Sequence, residues 1–136
     1  MDVENQLAVS LGKELLAHKQ TLSFAESCTG GLASSLVTDV AGSSEYLIGS
    51  IVTYTNEAKH NLLKVKQSTL DAYGAVSEET ACEMAQGVRE LFGSDYGVGI
   101  TGNAGPSGSE GKPVGLVYIA LSLIHISEPT RRYAIS

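Results

Sequence analysis

Residues 24–36 read FAESCTGGLASSL. A carboxylate, two hydroxyls, a thiol and two glycines stand side by side, and the chain then turns apolar. A hydroxyl at a strand-to-helix bend points outward, where a nucleophile can be presented, and Ser27 has that place. A glycine inside a helix costs about 1 kcal/mol relative to alanine. Gly30 and Gly31 together at a helix start therefore suggest that a ligand or another backbone comes close. The amides there, with Cys28 and Thr29, are candidates for holding a phosphate or an oxyanion. Cys28 is the rival nucleophile. An unassisted cysteine at a strand end is more often a small buried hydrophobe, so Ser27 is preferred. The plain alternative is a capped turn with Ser27 and Thr29 bonded to backbone.

A second cluster is TYTNEAK, residues 53–59. With Asn56 as a helix cap, Lys59 falls in the first turn, where a cation faces the positive end of the dipole. Broken local rules tend to mark functional sites. A free lysine titrates near 10.4, so a base working at neutral pH needs roughly three units of depression, about 4 kcal/mol. Burial has to add to the dipole to reach that. Tyr54 is placed to relay a proton or to hold the lysine. The alternative is an exposed Lys59 paired with Glu57.

The third cluster, TGNAGPSGSEGKPVG at 101–115, resembles a phosphate loop and fails its tests. Pro106 stands where a Walker loop needs glycine, and Pro113 where it needs Ser or Thr. The spacing of GITGNAG also breaks the dinucleotide pattern. A backbone-rich loop remains, able to cover a ligand or simply to connect. Thr101 and Gly102 open it. The three histidines have no ligand-like spacing, and neither metal nor cofactor is expected.

These clusters need a scaffold that brings them together. VENQLAVSLGKELLAHK places Leu7, Leu11, Leu15 and Leu16 on one helical face. TLSFAE is a short strand, and GGLASSLVTDV is helical with Thr29 as its expected N-cap. YLIGSIVTY reads as a buried strand. NEAKHNLL and STLDAYGA are short helices, the latter ending at Gly74. SEETACEMAQGVRELFG is the clearest helix, capped by Ser77 and stopped by Gly93, with Ala81, Met84, Ala85, Val88, Leu91 and Phe92 as its stripe. DYGVGIT and VGLVYIALS are strands. Helices alternating with short apolar strands imply an α/β sandwich with a mainly parallel sheet. All three clusters then fall at strand carboxyl ends, where such sheets bind ligands.

The 136 residues suit one domain, and a net charge of −6 argues against a nucleic-acid partner. No apolar run is long enough for a membrane span, and MDVENQ does not resemble a secretory leader. Cys28 and Cys82 read as reduced thiols in a cytoplasmic chain. Near the end, LSLIHISEPTR resembles the translation of a transposase adaptor used in DNA library preparation. Residues 1–122 are therefore expected to form the domain and 123–136 a non-native tail.

AESCTGG, GSSEYLIGSIVTYTNEAK, GAVSEETA, ITGNAGP and KPVGLVYIAL together closely resemble the C-terminal domain of CinA proteins, also found alone as PncC. The resemblance runs from about residue 5 to residue 121. It implies a three-layer α/β/α sandwich with a mixed, mainly parallel sheet, incomplete here at its C-terminus. It also implies nicotinamide-nucleotide amidase activity: hydrolysis of the carboxamide of nicotinamide mononucleotide, yielding nicotinate mononucleotide and ammonia, without a metal. Ser27 would be the nucleophile, Lys59 its base and Tyr54 an assistant. Cys28, Thr29, Gly30, Gly31, Thr101 and Gly102 would contact substrate. Asn103 stands where the family usually has an aliphatic residue. The family domain continues further, adding a strand, a final helix and a substrate-contacting arginine, for which Arg131 and Arg132 are not substitutes. An open sheet edge and reduced activity are expected to follow, and the complete domain is expected to be a homo-oligomer. A non-catalytic nucleotide-binding module, or a competence-related interaction domain, is the alternative.

Overall fold

The computed structural model describes residues 2–103 and 112–124, and the backbone of 131–134. The chain runs α1 (Val3–His18), β1 (Leu22–Glu26), α2 (Leu32–Thr38), a 3-10 turn (Ser43–Glu45), β2 (Leu47–Val52), α3 (Asn56–Leu63), α4 (Gln67–Tyr73), α5 (Glu78–Phe92), β3 (Tyr96–Gly102), β4 (Leu116–Leu123) and β5 (Arg131–Ala134). The sheet order is β2-β1-β3-β4-β5. β1 pairs in parallel with β2 and β3, whereas β4 runs antiparallel to both β3 and β5. The α/β fold with a mixed sheet is as expected.

Local signals set the helix ends. Ser77 caps α5 by accepting the Thr80 amide, and Gly93, at φ +66°, ends it. Ala81, Met84, Ala85 and Val88 line its buried face, while Leu91 is exposed. The expected stripe is thus one residue too wide. Two glycines let α5 lie directly on β3: a Cβ at Gly97 or Gly99 would collide with the Ala85 or Ala81 carbonyl. On this face of the sheet Ala25, Leu63, Val65, Leu70, Met84 and Val88 form one core. On the other, Leu15, Leu22, Phe24, Val37 and Tyr46 form a second. β1 contributes to both, so all five of its residues are buried.

Three readings change. Leu7, Leu11 and Leu16 are exposed, and α1 packs through Ala8, Gly12 and Leu15 instead. β2 is not a buried strand. Among the described residues it pairs only with β1, it alternates between half-buried and exposed, and Ile48 and Val52 face outward. Among the described residues the sheet edge on this side is β5, not β4, since β5 pairs with β4 from Leu116↔Ala134 to Ile119↔Arg131. Among the described residues, no helix is long and apolar enough to cross a membrane.

Candidate active site

β1, β2 and β3 run the same way, so their carboxyl ends meet along one rim. Ser27 follows β1, Thr53 and Tyr54 follow β2, and Asn103 follows β3. The Thr53 amide donates to the Glu26 carbonyl at 2.8 Å, which ties the first two exits together. α3 starts immediately after β2 and returns Lys59 to this rim. Its cap is Thr55, whose side chain accepts the Ala58 amide at 3.1 Å. Asn56, the expected cap, is the first helical residue. The extended backbone of Thr55 suits a cap, and its hydroxyl reaches the amide three residues on.

Lys59 is 1 % exposed and Ser27 6 %, and Lys59 Nζ lies 3.0 Å from Ser27 Oγ. The amine also donates to the Thr53 carbonyl at 2.8 Å and to the Tyr54 carbonyl at 3.4 Å. An exposed Lys59 paired with Glu57 is excluded by this burial. An ammonium would donate along all three directions. A neutral amine gives its two hydrogens to the carbonyls and leaves its lone pair for the Ser27 hydroxyl proton. The arrangement therefore has the geometry of a nucleophile and its base.

Tyr54 takes part differently from what its type suggests. Its side chain is 76 % exposed, and the contact with Lys59 runs through its carbonyl. It holds the lysine by main chain, not through its phenol.

The glycine turn contains the largest departure. Thr29 is not the cap of α2. The cap position is Gly31, at φ +107°, and Gly30 is also left-handed, at φ +62°. Neither backbone shape suits an L side chain, which explains the glycine pair. The charge at the helix start is internal. Glu26 Oε1 accepts from Thr29 Oγ1 at 2.6 Å, Gly31 N at 3.2 Å and Ala33 N at 3.0 Å. Oε2 accepts from Ser34 N at 2.9 Å and from Ser34 Oγ. The Gly30 amide bonds the Ser27 carbonyl. The Gly30 and Gly31 amides are therefore already taken, and an external phosphate or oxyanion does not find them free. Burial pushes the Glu26 carboxyl up, but the Ser34 and Thr29 hydroxyls and the Ser34 and Ala33 amides outweigh it, so its pKa falls below the usual carboxylate value. Sequence reasoning gave Glu26 no role. The available signal was a carboxylate closing an apolar strand directly before a helix start.

Cys28 is half-buried. Burial raises its pKa, and the Cys28 and Thr29 amides and the Lys59 charge only partly offset that, while Glu26 adds to the rise. It stays a thiol at neutral pH, which favours Ser27 as the nucleophile. Thr101, 1 % exposed, donates its hydroxyl to the Ala75 carbonyl at 2.8 Å. Gly102 ends β3 against Val117 of β4. Both lie one strand away from Ser27, on the same rim. Asn103 is buried and its amide donates to the Lys112 carbonyl at 3.1 Å, which closes the neck of the glycine-rich loop. Residues 104–111, the part of the loop able to cover a ligand or simply to connect, lie outside the described residues. A separate cavity of about 450 Å³ opens between α1 and the sheet, lined by Leu11, Leu15, Phe24, Tyr96 and Leu121, and no site residue lines it.

The chain is 58 % identical over 113 residues to a CinA-like protein of Desulforapulum autotrophicum, covering 82 % of this chain. It is 56 % identical over 114 residues to a CinA-like protein of Endomicrobium trichonymphae, covering 83 % of this chain. In both cases it spans only 27 % of the relative's length. Among solved structures, the competence damage-inducible protein A of Klebsiella pneumoniae superposes with a TM-score of 0.95 at 33 % identity, over 99 % of this chain and 84 % of that one. A competence/damage inducible protein of Agrobacterium tumefaciens matches with a TM-score of 0.90 at 38 % identity, over 98 % of this chain and 81 % of that one. The family model described as the CinA C-terminal domain matches residues 4–135, and the chain belongs to that family.

Proposed function

We propose that this site is a serine amidase centre acting on the carboxamide of nicotinamide mononucleotide. The observation that supports the reading is the 3.0 Å approach of Lys59 Nζ to Ser27 Oγ in a buried rim. The amine thus stands within hydrogen-bonding reach of the hydroxyl proton that a general base has to take. Lys59 takes the hydroxyl proton as Ser27 Oγ attacks the carboxamide carbon. The new C–O bond forms and the carbonyl becomes an oxyanion. The C–N bond then breaks, and Lys59 returns its proton to the departing nitrogen, releasing ammonia. Water attacks the acyl-serine with Lys59 again as base, and nicotinate mononucleotide leaves with Ser27 restored. The phosphate does not belong at the start of α2, because Glu26 already holds the amides there.

The test is incubation of the full chain with nicotinamide mononucleotide, measuring ammonia and nicotinate mononucleotide together. One-to-one formation of both, abolished by Ser27→Ala, is expected. Binding of the mononucleotide without any product would overturn the amidase reading in favour of a binding module.

A further inference from the structure

Glu26 precedes the nucleophile and is fully buried, yet the reaction just described gives it no role. Five donors converge on its carboxylate: Thr29 Oγ1, the Gly31, Ala33 and Ser34 amides, and Ser34 Oγ. All five belong to the turn after Ser27 or to the first residues of α2. The side chain thus closes a loop of chain around Ser27 from the C-terminal side. The Glu26 main chain acts in the other direction. Its carbonyl accepts the amide of Thr53, whose own carbonyl accepts from Lys59. One residue therefore links the turn that carries the hydroxyl to the strand end that seats the amine.

We infer that Glu26 is a positioning residue whose ionised carboxylate fixes the Ser27 turn, and so holds Ser27 Oγ in line with Lys59 Nζ. The inference rests on the Ser27–Lys59 reading. A glutamine in its place keeps the shape but not the function. One of its two terminal atoms becomes a donor, and it faces either the Ser34 amide or the Gly31 and Ala33 amides, which are donors too. The turn must then shift or leave an amide unpaired. Ser34 Oγ can rotate to accept, but a backbone amide cannot. The neighbouring titratable groups are Cys28, on the same turn, and Lys59, from α3. Cys28 remains a neutral thiol, so the charges that meet at this turn are those of Glu26 and of Lys59 in its protonated form.

The experiment measures Ser27 reactivity directly, without assuming a substrate. The full chain and its Ser27→Ala, Glu26→Gln and Ser34→Ala variants are treated with a fluorophosphonate. The labelled residue is identified by mass spectrometry, and melting curves establish that each variant is folded at the assay temperature. Labelling of the parent at Ser27 is expected, with none in Ser27→Ala. Glu26→Gln should label roughly ten- to a hundredfold more slowly, as loss of charge-assisted bonds implies, and Ser34→Ala should fall between. Labelling of folded Glu26→Gln at the parental rate overturns the positioning role and leaves the Ser27 reading intact. A lowered melting temperature with an unchanged labelling rate does the same, since that is a purely structural role. Absence of label at Ser27 in the parent overturns the Ser27–Lys59 reading itself. If Glu26→Gln does not fold, Ser34→Ala decides, and a parental rate in that variant overturns the inference.

Discussion

Ser27 and Lys59 should behave as one unit, and a double-mutant cycle measures this. Lys59→Met keeps much of the side-chain volume and removes the base. Positioned acid–base groups contribute about 10²- to 10⁴-fold, so kcat should fall within that range. Ser27→Ala should lose at least as much. Because the lysine acts only through the serine, Ser27→Ala/Lys59→Met should be no slower than the slower single variant. Stability has to be checked separately. Lys59→Met removes the 2.8 Å donor to the buried Thr53 carbonyl. A buried acceptor left without a partner costs about 1–3 kcal/mol. That is smaller than the roughly 5–15 kcal/mol stability of an ordinary domain, so the variant should stay folded and its lost turnover reflects chemistry. The assay is ammonia release from nicotinamide mononucleotide, paired with urea unfolding of each variant. Two single effects that multiply in the double variant would refute the dyad.

Three further outcomes follow from the geometry. The depressed Glu26 pKa stabilises the fold above the ordinary carboxylate value, near 4.3, and that contribution is lost as pH falls through the lower folded value. Urea midpoints of the parent should drop across that acid window, and Glu26→Gln should lack this component. Gly99→Val drives a side chain into the Ala81 carbonyl and lifts α5 off β3, so it should cost at least about 1–3 kcal/mol in denaturant unfolding. Cys28 should react slowly with iodoacetamide at pH 7 and faster only above the usual thiol range, as measured by mass shift against pH, because burial raises its pKa.

Most elements are legible in the sequence because their signals are local. Ser77 and Gly93 bound α5 by capping chemistry that acts within a turn, and Gly74 follows α4 in the same way. The stations of Ser27 and Lys59 are legible for a similar reason, as each follows a short strand. Their meeting is less so, since they are 32 residues apart and only the parallel pairing of β1 with β2 joins them. What periodicity misreads depends on neighbours it does not encode. YLIGSIVTY is apolar enough for a central strand, but the sheet order leaves β2 at the edge. Leu7 and Leu11 fit a helical stripe, but α1 turns its smaller residues inward. Tyr54 meets Lys59 through its carbonyl, a main-chain contact that residue type does not announce. Glu26 is missed because burial of a carboxylate at a helix start leaves no periodic trace.

Among the described residues β2 has a single neighbour, and α3 hangs from its end. The two halves of the proposed dyad are therefore unequally anchored: the serine belongs to a strand clamped on both sides, the lysine to one free along its outer margin. Fraying at that margin separates amine from hydroxyl while β1, β3 and α5 remain assembled. Hydrogen exchange in β2 and α3 thus reports how often the proposed pair comes apart in a molecule that is otherwise native.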